Sequence, residues 1–128
     1  MNANTPRVLV VGDDLIWSER LVRLLAEVGA IPTRAGSDTG LEHALWGMDA
    51  AVVDLTARAY DPIRVVERCA QGGRRVLAVG QHDDVALRKR ALAAGAERVL
   101  AYRKLFDDGP ATLRAWLDRA ALASGQRP

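Results

Sequence analysis

Three carboxylates in this chain stand where chemistry would be placed. Asp54 ends the run Ala50-Ala51-Val52-Val53-Asp54, and Asp13 and Asp14 follow the run Val8-Leu9-Val10-Val11-Gly12. An apolar strand that stops on a carboxylate delivers it to the C-terminal edge of a sheet, the edge at which open α/β folds collect ligands. Carboxylates converging there suit a divalent cation, a phosphoryl acceptor, or both. Magnesium takes about six oxygens, usually with only one or two protein carboxylates among them. Asp13 and Asp54 could supply those two, with Asp14 as a displaced third. Asp14 has a plainer use as the N-cap of a following helix.

Other site signatures fail. There is no G-x-x-x-x-G-K-[ST], no G-x-G-x-x-G after the first strand and no H-E-x-x-H. An aspartyl phosphatase would want a second acid two residues beyond Asp54, and that residue is Thr56. Ser18, Ser37 and Ser124 do not sit on a strand-to-helix elbow. His43, between Glu42 and Ala44, has no second histidine at ligand spacing. His82 follows Gly80-Gln81 beside the expected site, and a solvated loop histidine is a simpler reading than a phosphate or metal contact. Cys69 is the one cysteine, which excludes an internal disulfide and a cysteine-based metal cluster; among Val65, Val66 and Ala70 it reads as a buried, inert thiol.

The elements that must position these residues alternate between two periods. Val8 to Val11 is an unbroken apolar run, as in a strand covered on both faces. Trp17, Leu21, Leu24, Leu25 and Val28 form a helical stripe, with Glu19 and Arg23 at i,i+4 spacing outside and Gly29 at the end. Residues 31 to 35 make a poor strand whose Pro32 suits an edge. Thr39-Gly40-Leu41-Glu42 has capping-box spacing before a helix burying Leu41, Leu45 and Met48. Residues 50 to 53 are the third strand. Asp61-Pro62 is an N-cap with proline at the first helical position, opening a helix that buries Ile63, Val66 and Ala70 up to Gly72-Gly73. Residues 76 to 79 form the fourth strand, and Asp83 or Asp84 caps a helix through Leu87, Ala91 and Ala94, stopping at Gly95. Val99 to Tyr102 is the fifth strand. Pro110 opens a last helix with Leu113, Trp116, Leu117 and Ala120 inward, and 124 to 128 is a frayed tail.

Five βα units with short connections predict a parallel sheet with right-handed crossovers and helices on both faces. The order 2-1-3-4-5 fits, because the Pro32 strand belongs at an edge and strands one and three are the most apolar. That order brings Asp13, Asp14 and Asp54 together at the topological switch point. One domain over 1–128, with a core of about 7–122, is expected.

Composition bounds the partners. The chain has 128 residues, 49% hydrophobic and 27% charged, with 18 basic against 16 acidic residues and a formal net charge of +2. That excess is too small to argue for direct nucleic-acid binding, and the intermixed charges suit a solvated surface. No stretch reaches the ~20 apolar residues of a membrane span, and residues 1–6 do not form a signal peptide. A cytoplasmic location is expected.

These residues together resemble a response-regulator receiver domain, the phosphoacceptor module of two-component signalling with a flavodoxin-like fold. The resemblance runs from residue 7 to 122 through Leu9-Val10-Val11-Gly12-Asp13-Asp14, Val52-Val53-Asp54-Leu55, Val76-Leu77-Ala78-Val79-Gly80 and Ala94-Gly95-Ala96-Glu97-Arg98-Val99-Leu100. It implies that Asp54 fills the phosphoacceptor place and Asp13 the second of two Mg²⁺-binding acids. The first acid is replaced by Gly12, the phosphoryl-binding hydroxyl by Gly80 and the phosphoryl-binding lysine by Tyr102. Arg103 stands where a proline usually follows the lysine, and Val99 stands at the aromatic switch position.

Each replacement has a physical consequence. Without the first acid, Mg²⁺ binding is weakened. Gly80 has no hydroxyl to follow a phosphoryl oxygen. Tyr102 has no cation to offset a phosphate's roughly −2 charge. Arg103 or Lys104 would have to reach in instead, and strand alternation sends Arg103 to the face opposite Tyr102. The expectation is a stand-alone, non-enzymatic receiver-like signalling module with an atypical acceptor site, signalling through protein contacts without phosphorylation. The alternative is a working Mg²⁺-dependent phosphoacceptor at Asp54; a small-ligand domain of flavodoxin-like architecture is a third reading, without a glycine-rich loop to support it. A histidine kinase, an output protein or a second copy would be the partner. The surface of the fourth helix, fifth strand and fifth helix, carrying Arg88, Arg90, Arg98 and Arg103, is the expected docking face.

Overall fold

The structure, a computed structural model, describes residues 5–81 and 83–125, with side chains described as far as 118. Five strands alternate with five helices: β1 (Arg7–Val11), α1 (Leu15–Glu27), β2 (Ile31–Ala35), α2 (Leu41–Leu45), β3 (Ala50–Asp54), α3 (Pro62–Gln71), β4 (Arg75–Gly80), α4 (Val85–Ala94), β5 (Arg98–Ala101) and α5 (Tyr102–Gly125). The strands form one parallel sheet in the expected order β2-β1-β3-β4-β5. β1 and β3 are neighbours, with Val11 opposite Val53, so their carboxylate-bearing ends leave the sheet side by side.

Strand alternation divides the core in two. Leu9, Val11, Ala51, Val53, Val76 and Ala78 face α2, α3 and α4, whereas Val8, Val10, Val52, Leu77, Val79 and Leu100 face α1 and α5. Burial on both faces is why β1 and β3 read as continuous apolar runs. β2 is the edge that Pro32 indicated, with Ile31 and Arg34 exposed. Cys69 is fully buried and its thiol is pushed up to about 11 by burial, so the inert thiol stands.

Local signals placed most helix starts. Asp14 caps α1 by accepting from the Trp17 amide at 3.1 Å, Asp61 caps α3 through Ile63 (3.1 Å) and Arg64 (3.4 Å), and Asp84 rather than Asp83 caps α4 through Leu87 (3.1 Å). Gly95 ends α4 at φ +122°, and a Cβ there would stand 2.6 Å from Ala70 Cβ, so the close approach of α3 and α4 requires glycine.

Three expectations are corrected. The Thr39–Glu42 capping box does not form. Gly40 is the N-cap in the left-handed region, with no side-chain cap bond, and α2 is only five residues long, with Met48 beyond its end. β5 stops at Ala101, and helix begins at once with Tyr102; Pro110 opens only the second part of α5, after a break at Asp108 (φ −150°, ψ 35°). Among the described residues, Glu19 and Arg23 make no ion pair; the charged pairs are Arg68–Glu42, Arg75–Glu97 and Lys104–Asp108. His82, the side chain of Ala120 and the 124–128 tail lie outside what the structure describes in full.

Candidate functional site

The C-terminal edge of the sheet gathers Gly12, Asp13 and Asp14 after β1, Asp54 at the end of β3, Gly80 at the end of β4 and Tyr102 after β5. Asp54 is the centre of this group and is 2% exposed. Its Oδ1 accepts from the Thr56 amide at 2.8 Å and from the Thr56 hydroxyl at 2.7 Å. Its Oδ2 is buried without a hydrogen-bond partner. The Tyr102 hydroxyl is also buried and unpartnered; it faces Asp54 and Thr56 but falls short of hydrogen-bond geometry with either. Burial, then the Asp54 charge, raise the Tyr102 pKa far above the ordinary tyrosine range. A buried polar group left without a partner costs about 1–3 kcal/mol, and the Asp54 Oδ2 and Tyr102 Oη atoms are two such groups in one site.

The expected cation ligands are not assembled around Asp54. Asp13 turns its Oδ2 to the backbone amides of Arg58 (2.8 Å) and Ala59 (2.9 Å), which hold its carboxyl below the usual carboxylate range. Asp14 turns to the Trp17 amide. Among the described residues, no group of three acidic, histidine or cysteine side chains converges. The three carboxylates expected to share a metal, Asp13, Asp14 and Asp54, reach the same edge, but each accepts from different backbone or side-chain donors. The Asp54 oxygen that has no partner, Oδ2, is buried near Tyr102. As arranged, these carboxylates offer Mg²⁺ no ready-made set of oxygens in near-octahedral array, and Asp13 and Asp14 are engaged by backbone amides.

The replaced family positions are filled by neighbours. A Cβ on Gly12 would stand 2.8 Å from Ser18 Oγ, 3.4 Å from Asp54 Cβ and 3.7 Å from Asp54 Oδ2. Ser18 is buried on α1, and its hydroxyl donates to the Gly12 carbonyl at 3.2 Å. Over Gly80, Leu55 occupies the space that a side chain would use, with its Cβ 3.4 Å from the position of a Gly80 Cβ. Arg103 and Lys104 do not replace the missing lysine. Both are exposed on α5, and Lys104 pairs with Asp108 at 3.7 Å. The strand-alternation argument for Arg103 lapses because that residue is helical, although its outward position is the same.

Aromatic side chains close the site from above. The Trp17 ring packs on Tyr102 with centroids 3.9 Å apart and meets Phe106 edge-on at 4.7 Å. The Arg20 guanidinium lies 4.2 Å from the Phe106 centroid. Each aromatic pair contributes about 0.5–1.5 kcal/mol beyond burial, and an exposed cation–π contact about 0.5–1 kcal/mol. Beneath Asp54, Tyr60 is buried, with its hydroxyl 2.9 Å from both the Val11 and Asp54 carbonyls, so its single proton ties the ends of β1 and β3 together. Burial raises that hydroxyl's pKa as well, and it remains a donor.

Sequence reasoning identified Asp54, Asp13, Gly12, Gly80 and Tyr102 but missed Ser18, Tyr60, Phe106 and the use of Trp17 as a cover. Tyr102 and Phe106 share i,i+4 spacing, and Trp17 lies one turn past Asp13; those spacings were the available signals. On the expected docking face, Arg88, Arg90 and Arg103 are exposed and Arg98 is half-buried; Arg88 also donates to the Val99 carbonyl at 3.4 Å. His43 is exposed on α2.

No family model and no curated protein sequence matches the chain. Solved structures do. The signal receiver domain assigned to a Luxo repressor protein from Vibrio parahaemolyticus superposes with a TM-score of 0.80 at 18% identity, over 97% of this chain and 98% of that one. A two-component response regulator of the LuxR family from Aurantimonas gives 0.73 at 25% identity, over 89% and 86%. A response regulator receiver domain protein from Methanospirillum hungatei gives 0.73 at 17%, over 91% and 96%. Shared strand order, crossover pattern and near-complete mutual coverage establish that this chain has the fold of the response-regulator receiver domains.

Proposed function

We propose that the chain is a non-enzymatic, receiver-like signalling module of two-component type that acts through protein–protein contact without phosphoryl transfer to Asp54. The burial of Asp54 carries this reading. A phosphoacceptor must meet its donor, and this carboxylate is 2% exposed with Oδ1 held by Thr56. The group standing in the cation's place is a neutral phenol. Transfer would bring roughly −2 charge into this enclosure without a compensating ammonium. Asp13 and Asp14 would also have to leave their amides before binding Mg²⁺, so weak affinity for the ion is expected. Among the described residues no helix is long and apolar enough to cross a membrane, which agrees with a cytoplasmic role beside a kinase or output protein.

The competing reading, a working acceptor, draws on the strand-end placement of Asp54 and on the structural similarity to a receiver domain described as beryllofluoride-activated (TM-score 0.76, 14% identity). Incubation with acetyl phosphate and Mg²⁺, followed by intact-protein mass spectrometry, separates the two. No phosphoryl adduct is expected under conditions that label an ordinary receiver run in parallel. An adduct mapped to Asp54 would establish the competing reading instead.

A further inference from the structure

We propose that Trp17 and Tyr102 form an aromatic lid over Asp54, and that this pair determines whether a solute the size of a small phosphodonor can reach the carboxylate. The inference rests on the reading of Asp54 as a silent acceptor and supplies its physical cause. Absence of the lysine and hydroxyl would weaken phosphoryl binding but would leave an open carboxylate. Asp54 is instead buried; Tyr102, on the first turn of α5, lies beside it, and Trp17, on the first turn of α1, packs on Tyr102.

Four observations converge on a lid. The Trp17 and Tyr102 rings are 3.9 Å apart, closer than loose neighbours. Phe106, one helical turn beyond Tyr102, braces Trp17 from the side, and Arg20 lies against the outer ring. Phe106 is 53% exposed, so it supports the cover from the solvent side and does not itself seal the carboxylate. Tyr102 Oη and Asp54 Oδ2 are both buried without partners, and the phenol is near enough to Asp54 for that charge to raise its pKa. The lid also has a firm mounting: Leu105 is buried in the α1–α5 core, while the break at Asp108 separates this first segment from the rest of α5.

Carboxyl labelling tests the lid without any phosphodonor. The full chain is treated with a water-soluble carbodiimide and an amine at mildly acidic pH, and coupling at each aspartate is timed by peptide mass spectrometry. Exposed Asp107 and Asp118 provide the internal reference. Asp54 should couple at least tenfold more slowly than these in the parent. Trp17→Ala and Tyr102→Ala should each accelerate Asp54 at least tenfold, Phe106→Ala should have a smaller effect, and Tyr102→Phe, which keeps the ring, should remain protected. Amide NMR dispersion identifies variants that have lost the fold; if an alanine variant has, Trp17→Leu, which keeps bulk without an aromatic face, replaces it and should show intermediate acceleration. Equal coupling of Asp54 and Asp107 in the parent, or unchanged protection in folded Trp17 and Tyr102 variants, overturns the lid. An acetyl phosphate adduct on parent Asp54 would overturn both the lid and the silent-acceptor reading, whereas no adduct together with unchanged protection in the folded variants would overturn the lid alone.

Discussion

At the scale of single residues, position 12 illustrates how a lost ligand becomes part of the packing. A side chain at Gly12 would have to enter space held by Ser18 Oγ, which is bonded to the Gly12 carbonyl, and by Asp54 Cβ. Ser18 could yield only by rotating out of its hydrogen bond, which costs about 1 kcal/mol net, and overpacking adds roughly 1–3 kcal/mol where neighbours cannot move. Restoring the family's acid alone therefore should not restore a cation site. Gly12→Asp is expected to lower the unfolding free energy by about 1–3 kcal/mol in urea titration, and Gly12→Asp with Ser18→Ala should recover part of that loss. A single substitution as stable as the parent would show that the site has room and that Gly12 is incidental. The same reasoning explains what was readable here. Asp54 and Asp13 stood out because a carboxylate after an apolar run has few other uses. Ser18 did not, because a serine on a helix announces its target only when the partner strand end is known.

Elements show the same division between local and distant information. The Asp61-Pro62 start of α3 and the glycine stop of α4 were legible because the cap and the capped amides are neighbours in sequence. The α2 capping box failed because Gly40 took the cap position itself, leaving Thr39 bonded through its own amide to Ser37 Oγ. Helix begins directly on exit from β5, and the Asp108-Gly109-Pro110 run that reads as a loop is an interruption within α5. The aromatic cover depends on that early start, which the apolar run from Val99 to Tyr102 does not reveal because it has the pattern of a strand. Asp13 joins two elements in a way that sequence could not reveal: placed after β1, its carboxylate holds the β3–α3 connection through the amides of Arg58 and Ala59. Its pKa is lowered, first by the Arg58 amide and then by the Ala59 amide. A carboxyl whose folded pKa lies below its unfolded value, near 3.9, stabilises fully above the unfolded pKa and loses that contribution as pH falls through the folded one. Thermal stability of the parent should therefore fall more steeply below about pH 4 than that of Asp13→Asn. Parallel pH profiles of the two melting temperatures would contradict this role.

For the whole molecule, the sheet and its two apolar layers followed from hydrophobic period alone, since burial on both faces leaves few alternatives for β1 and β3. Interaction with other proteins depends on what those layers leave outside. α4 buries only Ala91 fully and exposes Val85 and Leu92, with Arg88, Lys89 and Arg90 beside them. Arg103 and Lys104 continue the basic surface onto α5, where Asp107 and Asp108 follow one turn on and Lys104 pairs with Asp108. A net charge of +2 supplies little long-range attraction, so any steering must come from this local arrangement. Each exposed ion pair contributes only ~0–1 kcal/mol, but opposed like charges across an interface cost several. Reversal is therefore more informative than neutralisation. Arg88→Glu with Arg90→Glu should weaken self-association, followed by sedimentation velocity, or capture of a cognate kinase or output domain, by at least tenfold. Circular dichroism should be unchanged, because neither arginine is buried. Added salt should reduce the parent's association as screening shortens the reach of the charges. Asp54→Ala should leave association unaltered, since the carboxylate is 2% exposed and presents no atom to a partner docked on that face. Loss of association in Asp54→Ala equal to that in the charge-reversed variant would mean that the acceptor still communicates with the surface, and the phosphorylation-independent reading would fall.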